Sequence, residues 1–353
     1  LKADPRIVHL DIDDSAVERF GRWPWKRRQM ASLIRTLSGF EPKLIVVDFL
    51  FSEREAIYYE DPTIQGMPGD EIAAVGEISE ENKVFGDLEL ADAIRRAGNV
   101  IMSAEFDPRA PADPPPLAAR LAQWRADHDE WDVAHAIADL GLPRDAATQI
   151  EVERETLRLQ IIGELQRDFT LTAEEIAARI NRPAAEVGAV IAGAKRRAAR
   201  QMVGAYAERM RQETGNSPDL AQTLDYMLGA EKNRRTADRA DVLAAFDWHR
   251  AQWATMQKAA TPLSPGGLFT SEELTPLIVP LAHASMNIAA VNFRADEDGP
   301  VRRVPAMIDA GPHGGAMHMG LAAAAPAMGL NPSPESAAYV DEDGALRIPR
   351  EGA

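Results

Sequence analysis

Two proline-rich stretches interrupt the chain and limit the folds that it can adopt. Residues 107–118 (DPRAPADPPPLA) contain five prolines, and residues 261–281 form a second stretch punctuated by proline and glycine. Proline continues neither a helix nor an interior strand, so each stretch predicts a boundary. The residues between them have helical patterns throughout, whereas the flanking segments alternate short apolar runs with helical patterns. We therefore predict a discontinuous α/β domain (residues 1–108 and 284–353) interrupted by an all-helical insertion over residues 109–283.

The flanking segments predict an open, mostly parallel sheet with flanking helices and C-terminal hairpins. Apolar runs at 6–12, 43–51 and 99–104 are typical of strands, and the spacing at 29–37 and 88–97 predicts helices between them. The unbroken run 43–51 is typical of a strand buried on both faces. Two Asp-Gly turn sequences, in residues 295–300 and 341–344, predict hairpins near the end of the chain.

Charge and composition exclude several classes of protein. The net charge is −16; residues 111–260 carry 20 basic and 23 acidic groups, a net of −3, so −13 belongs to the α/β part. An acidic surface repels phosphate backbones, and we expect no nucleic-acid partner. The absence of cysteine excludes disulfides, zinc–thiolate sites and thiol nucleophiles. No apolar run approaches the ~20 residues that span a bilayer. Because the chain begins with Leu1, we expect any anchoring segment to lie outside it.

Carboxylates gather where the first two predicted strands end. Asp13 and Asp14 follow the first strand, and Asp48 lies in the second. The carboxyl ends of parallel strands form the usual ligand crevice, and converging carboxylates there are suited to Mg²⁺, Ca²⁺ or a cationic ligand. The alternative is structural: Asp14 or Ser15 caps the following turn, and Asp48 bonds to backbone amides.

The segment GRWPWKR at 21–27 places two tryptophans and several cations just before a predicted helix. Such a loop is suited to holding a ligand, with Arg22 and Trp25 as contacts. It also fits a packed plug in which Pro24 starts the helix. The candidate ligand-binding residues are therefore Asp13, Asp14, Arg22, Trp25 and Asp48.

Enzyme signatures are absent from the sequence. The first strand is not followed by a glycine-rich dinucleotide loop, and no Walker loop, zinc-protease motif or nucleophile elbow occurs. We predict no catalytic residue and no cofactor beyond the Mg²⁺ or Ca²⁺ at the acidic cluster. His128 and His135 lie seven residues apart on one predicted helical face, but two ligands without a third do not define a metal site.

Residues 171–197 resemble the helix-turn-helix of bacterial sigma factors. Thr172 and Glu175 predict a capping box. The apolar residues Ile176, Ile180, Val187 and Ile191 are expected to pack the two helices together. Glycine and alanine occupy the positions that a recognition helix gives to polar base contacts, so we interpret the pair as structural.

Several α/β segments together resemble the second family of CHASE domains, the extracellular sensors associated with cyclases and histidine kinases. They are HLDIDDSAVERFGRWPWKRRQMASLIRTL from residue 9, VVDFLFSE at 46–53, GDLELADAIRRAGNVIMSAEF at 86–106, NFRADEDGPVRRVPAMI at 292–308 and the alanine-rich helix 317–328. The resemblance covers roughly residues 5–106 and 285–350; residues 109–283 are longer than the usual loop.

The resemblance implies a sensor on the extracytoplasmic, periplasmic side of the cell membrane. It implies transmembrane segments outside this chain and a cytoplasmic output, commonly a class III adenylate or guanylate cyclase and otherwise a histidine or Ser/Thr kinase. We expect a homodimer that senses a small molecule or a protein. A stand-alone metal-dependent α/β enzyme and a protein-interaction scaffold remain the alternatives.

Overall fold

The computed structural model describes residues 6–59, 83–107, 115–128, 132–229, 236–261, 263, 269–271, 274–291, 304–310, 314–330, 337–341 and 345–348. The chain divides into two compact units, Leu1–Arg109 with Ala254–Ala353, and Ala110–Trp253. Residues 254–283, which the sequence pattern places in the insertion, group with the first unit. The boundaries at 109 and 283 stay a prediction.

The described residues form helices in both units and strands in the first unit. The helices are α1 (Asp14–Phe20), α2 (Arg27–Ser38), α3 (Gly86–Ala97), α4 (Leu117–Ala126), α5 (Val133–Asp139), α6 (Ala146–Arg167), α7 (Ala173–Ile180), α8 (Ala184–Thr214), α9 (Leu220–Leu228), α10 (Thr236–Ala259), α11 (Val279–Ala284) and α12 (Met319–Met328). The strands are β1 (Ile45–Val47), β2 (Tyr58–Tyr59), β3 (Lys83–Val84), β4 (Val100–Phe106), β5 (Ala260–Thr261), β6 (Phe269–Thr270), β7 (Leu274–Thr275), β8 (Asn287–Ala290), β9 (Met307–Asp309), β10 (Gly315–Met317), β11 (Tyr339–Val340) and β12 (Leu346–Arg347).

A parallel sheet organises the first unit. Strand β4 lies at its centre, with β1 and β8 parallel to it; Met102 pairs with Val47 on one side and with Ile288 on the other. The short strand β7 runs antiparallel to the end of β4. A second sheet has the order β5-β10-β9-β6. The predicted mixed α/β class is confirmed.

Helices α2 and α3 build the main core with β4. Met30 and Ile34 of α2 and Leu90 and Ile94 of α3 are fully buried in one cluster with Met102 of β4. Each such side chain contributes roughly 1.5–3 kcal/mol when it leaves water. This packing fixes the starts of α2 and α3, where the candidate site lies.

The two N-terminal strand predictions are corrected by the structure. Residues 7–13 have no regular secondary structure, and Ile7 and Val8 are 62% and 80% exposed. A strand needs a partner for its backbone hydrogen bonds, and no described strand pairs with this segment. The run 43–51 forms only the three-residue β1, with Val46 39% exposed, so burial on both faces was wrong.

Sequence patterning is confirmed for one of the two predicted hairpins. Strands β11 and β12 pair antiparallel, with Val340 opposite Leu346. The turn of the other hairpin, within residues 292–303, lies outside the described residues. Its flanking strands β8 and β9 belong to different sheets.

Helices α6 to α10 build the core of the second unit. Ile176 and Val187 are fully buried, with Ile180 and Ile191 packed against the same cluster, so the predicted α7–α8 packing is confirmed. Ile150, in the first two turns of α6, is 61% exposed. A smaller cluster joins α4, α5 and α6 through Leu121, Trp124, Ala136, Ile137 and Val152.

Candidate functional site

Asp13 caps helix α1. Its Oδ1 accepts hydrogen bonds from the Ala16 amide and the Ser15 hydroxyl, both at 2.8 Å. The bond from Ala16, assisted by that from Ser15, lowers the pKa of Asp13 below its ordinary value. The structural interpretation of this segment predicted Asp14 or Ser15 as the cap. The capping residue in the structure is Asp13, one or two residues earlier in the chain. Asp14 itself is exposed in the first turn of α1.

Aromatic rings gather in the loop between α1 and α2. Trp25 donates from Nε1 to the Gly21 carbonyl at 2.8 Å and meets Phe20 and Trp23 edge to face, at 5.5 and 6.0 Å between centroids. Trp23 lies 4.5 Å from the ring of Phe49 and remains 40% exposed. We call these four residues, Phe20, Trp23, Trp25 and Phe49, the aromatic cluster. Gly21 permits the tight loop through its φ of +91°.

The aromatic cluster combines a packed side with an open side. Trp25 is half-buried and packs against the main core, as the plug interpretation expected. The part of that interpretation in which Pro24 starts the helix was wrong, because α2 begins at Arg27 with Lys26 as its N-cap. Arg22 and Asp48 are exposed, and Asp48 directly precedes Phe49. The loop therefore leaves the Trp23 ring partly exposed, with the exposed Arg22 next to it in sequence and the exposed Asp48 next to its ring partner Phe49.

Asp48 acts electrostatically on a histidine from the C-terminal part of the chain. His318 caps α12, where its side chain accepts a hydrogen bond from the Gly320 amide at 3.3 Å on Nδ1. Partial burial lowers the pKa of His318 below its ordinary value, and the charge of Asp48 opposes that shift. His318 also bridges to Ala290 at the end of β8. Sequence reasoning missed this pair because Asp48 and His318 are far apart in the chain.

An ionic network holds the chain that follows β1. Arg27 donates from Nε to Asp87 at 3.2 Å and from its guanidinium to the Glu53 carbonyl at 3.0 Å. Glu55 accepts from the Arg27 amide and donates its own amide to Asp87, both at 3.0 Å. Residues 53–55 are thus fixed between the starts of α2 and α3.

Burial affects the titration of Asp87 in this network. The Arg27 and Asp87 side chains are only 15% and 14% exposed. Burial raises the pKa of Asp87, although the Glu55 amide and the Arg27 charge oppose the shift. Residues 27, 55 and 87 are far apart in sequence, so no local pattern predicted their meeting.

The structure brings some predicted site residues together and leaves others apart. Trp25 joins the aromatic cluster, and Asp48 adjoins it through Phe49. In the described part of the chain, no hydrogen bond or ion pair links Asp13 or Asp14 to Asp48. The Mg²⁺ or Ca²⁺ site at these carboxylates stays a prediction.

Basic residues at the end of the helix-turn-helix have acidic or aromatic partners within the second unit. Lys195 Nζ contacts Asp238 at 2.5 Å, and Arg197 contacts the buried Glu155 at 2.6 Å. Arg200 lies 4.4 Å from the centre of the Trp248 ring. These cations contribute to packing between α8 and its neighbours. The expected absence of a nucleic-acid partner stays a prediction.

Comparisons with known proteins give one match. The family model described as the CHASE2 domain matches residues 1–352, including the helical insertion. No curated protein and no solved structure matches the chain. Among the helices of the described residues, none combines the length and apolar character needed to cross a membrane.

Proposed function

Because this chain belongs to the CHASE2 domain family, whose members are extracellular sensors of signalling receptors, we propose that it controls a class III adenylate or guanylate cyclase. The observation that carries this proposal is the family match over residues 1–352. In this arrangement the domain lies on the periplasmic side of the cell membrane, and segments outside the chain connect it to the output.

The signal is received at the open side of the aromatic cluster. The exposed Trp23 face supports this choice, since aromatic faces bind cationic and flat apolar groups. Arg22 and Asp48 flank the rings and supply charge of either sign. Asp13 and Asp14 lie at the start of α1, and exposed carboxylates at Asp14 and Asp48 remain open to Mg²⁺ or Ca²⁺.

The working unit is a homodimer whose arrangement the signal changes. Large apolar side chains are exposed along the N-terminal part of the first unit, which supports a second copy as the partner: Ile7, Val8, Leu10, Val46, Leu50, Ile57, Phe85 and Leu88. A signal that binds one arrangement more tightly shifts the population toward it, and the output follows.

The proposal is tested with the full-length protein in a bacterial host that lacks its own cyclase. We expect the cells to accumulate cyclic AMP or cyclic GMP. Replacing Trp23 by alanine removes the exposed ring and changes the output about fivefold. The control Phe40→Ala removes an exposed aromatic that lies outside both the cluster and the proposed dimer surface, and it leaves the output unchanged.

Two results would contradict parts of this proposal. Phosphate transfer from ATP to a histidine or serine, with no cyclic nucleotide, would replace the cyclase by a kinase and leave the sensor role intact. Equal output from the Trp23→Ala and Phe40→Ala proteins would remove the aromatic cluster as the signal site.

A further inference from the structure

Three potential metal ligands converge in the second unit. His128 Nε2 lies 3.5 Å and His135 Nε2 lies 3.2 Å from the same oxygen, Asp139 Oδ2. One ligand atom from each of the three residues can be chosen so that all three atoms lie within 4.8 Å of one another. Nitrogen and oxygen ligands at ~2.0–2.2 Å from a tetrahedral Zn²⁺ are about 3.3–3.6 Å apart. The two separations to Asp139 therefore match a tetrahedral ion.

Asp139 supplies the third ligand, which the sequence analysis of His128 and His135 did not identify. His135 and Asp139 lie four residues apart on α5 and face the same side. The side chain of Asp132 caps this helix through the amides of Ala134 and His135. His128 comes from the chain just after α4, so the site joins two segments.

Trp124 orients two of the ligands. Its carbonyl lies 2.8 Å from His128 Nδ1 and accepts the proton there, which leaves Nε2 directed toward Asp139. Its indole Nε1 donates to Asp139 Oδ2 at 3.0 Å, and its ring stacks on His128 at 4.4 Å between centroids. Trp124 is itself buried in the cluster of α4, α5 and α6. A metal site with such outer partners has its ligands fixed before the ion arrives.

The same geometry suits a cation between the ligands. When His128 is neutral with its proton on Nδ1, it presents a lone pair to the carboxylate oxygen of Asp139, and two acceptors at 3.5 Å repel each other. A positive centre between them, either a metal ion or a proton on Nε2, removes this repulsion. Asp139 Oδ2 uses one lone pair for Trp124 and keeps another for that centre.

We propose that His128, His135 and Asp139 bind a divalent zinc ion, with a fourth position open to water or a further ligand. Two imidazoles and one carboxylate favour Zn²⁺ over Ca²⁺ and Mg²⁺, which prefer oxygen ligands alone. The ion would fasten the end of α4 to α5. This site does not depend on the proposed sensor function.

The test measures Zn²⁺ binding to the full chain, purified without a histidine tag, by calorimetry and by melting temperature. We expect one Zn²⁺ per chain and a melting temperature that rises with zinc but not with calcium or magnesium. His135→Gln and Asp139→Asn weaken binding about 100-fold or more, and Trp124→Phe, which keeps the ring but loses the donor, weakens it about tenfold.

The matched control is His283→Gln, which removes an exposed histidine from the other unit and leaves binding unchanged. His135 is exposed, so its replacement keeps the fold, which circular dichroism verifies. Zinc binding that survives in both His135→Gln and Asp139→Asn would show an adventitious ion only. Absence of zinc binding in the unaltered chain, or a preference for calcium or magnesium, would also overturn the proposal.

Discussion

His318 links ionisation to the capping of a helix. It accepts the Gly320 amide through Nδ1, and this requires the neutral ring at that nitrogen. Because the folded pKa of His318 is lowered, its contribution to stability is complete above pH ~6.5 and is lost as the pH falls through the lowered value. Asp48 limits that loss, since its negative charge favours the protonated ring.

We predict that Asp48→Asn lowers the pKa of His318 further. The substitution removes the charge that opposes the effect of burial. The measurement is an NMR titration of the His318 ring in the full chain, assigned by comparison with His318→Asn. The second variant also supplies a cap that does not titrate, so its unfolding free energy should decrease less between pH 7.5 and pH 5. A His318 pKa that rises in Asp48→Asn would contradict the assignment.

Gly86 permits the close approach of Glu55 to the start of α3. A Cβ at this position would lie 1.8 Å from Glu55 Oε2 and 2.9 Å from Arg27 Cβ. Moving the Glu55 carboxylate away would break its bond from the Arg27 amide. Glycine is therefore required at position 86 because a larger side chain would collide with Glu55 and Arg27, and not because of its backbone conformation.

We predict that Gly86→Ala destabilises the first unit by about 2 kcal/mol, the usual effect of crowding a packed position. Melting temperature and urea unfolding measure the loss. The control is Gly163→Ala in α6, where an added Cβ meets nothing within 4 Å. That change should stabilise its helix by about 0.5–1 kcal/mol. Equal effects at both positions would mean that the contact with Glu55 is unimportant.

At the scale of helices and strands, local signals predicted structure well where the helices are amphipathic. The Thr172–Glu175 pattern gives a full capping box on α7, with bonds of 3.2 and 2.7 Å in the two directions. The periodicity of 29–37 gives α2, with Met30 and Ile34 buried. In each case neighbouring residues determine the outcome.

Strands were predicted less well because a strand depends on its partner. The runs at 6–12 and 43–51 have similar apolar character, but only Ile45–Val47 pairs with β4. Neither run contains a local signal that shows whether a neighbouring strand is available to pair with it. The same limit applies to the candidate site. Trp25 could be identified from the local segment at 21–27, whereas the Arg27–Asp87 contact and the Asp48–His318 interaction could be identified only from the folded structure.

We predict that Thr172→Ala costs about 1 kcal/mol of unfolding free energy in the second unit. The alanine cannot accept the Glu175 amide, so the start of α7 loses its cap. Thr172→Ser keeps the hydroxyl and should retain most of the stability. Chemical denaturation followed by circular dichroism compares the two variants. A loss of equal size in both would assign the effect to the threonine methyl group.

At the scale of the whole molecule, the cysteine-free sequence allows the membrane side to be measured directly. Phe40 is 79% exposed in the first unit and Tyr226 is 45% exposed in the second. A cysteine at either position is accessible to a maleimide that does not cross membranes. For a periplasmic sensor, we predict equal labelling of Phe40→Cys and Tyr226→Cys in spheroplasts, with or without permeabilisation of the membrane.

Mass spectrometry of tryptic peptides separates these labels from cysteines elsewhere in the full-length protein, since position 40 lies in the peptide of residues 36–43. The unsubstituted protein provides the background, because its peptides from this region contain no thiol. Labelling that appears only after permeabilisation would place the domain in the cytoplasm and remove the receptor arrangement. Labelling of one position alone would mean that a partner covers the other in the full-length protein.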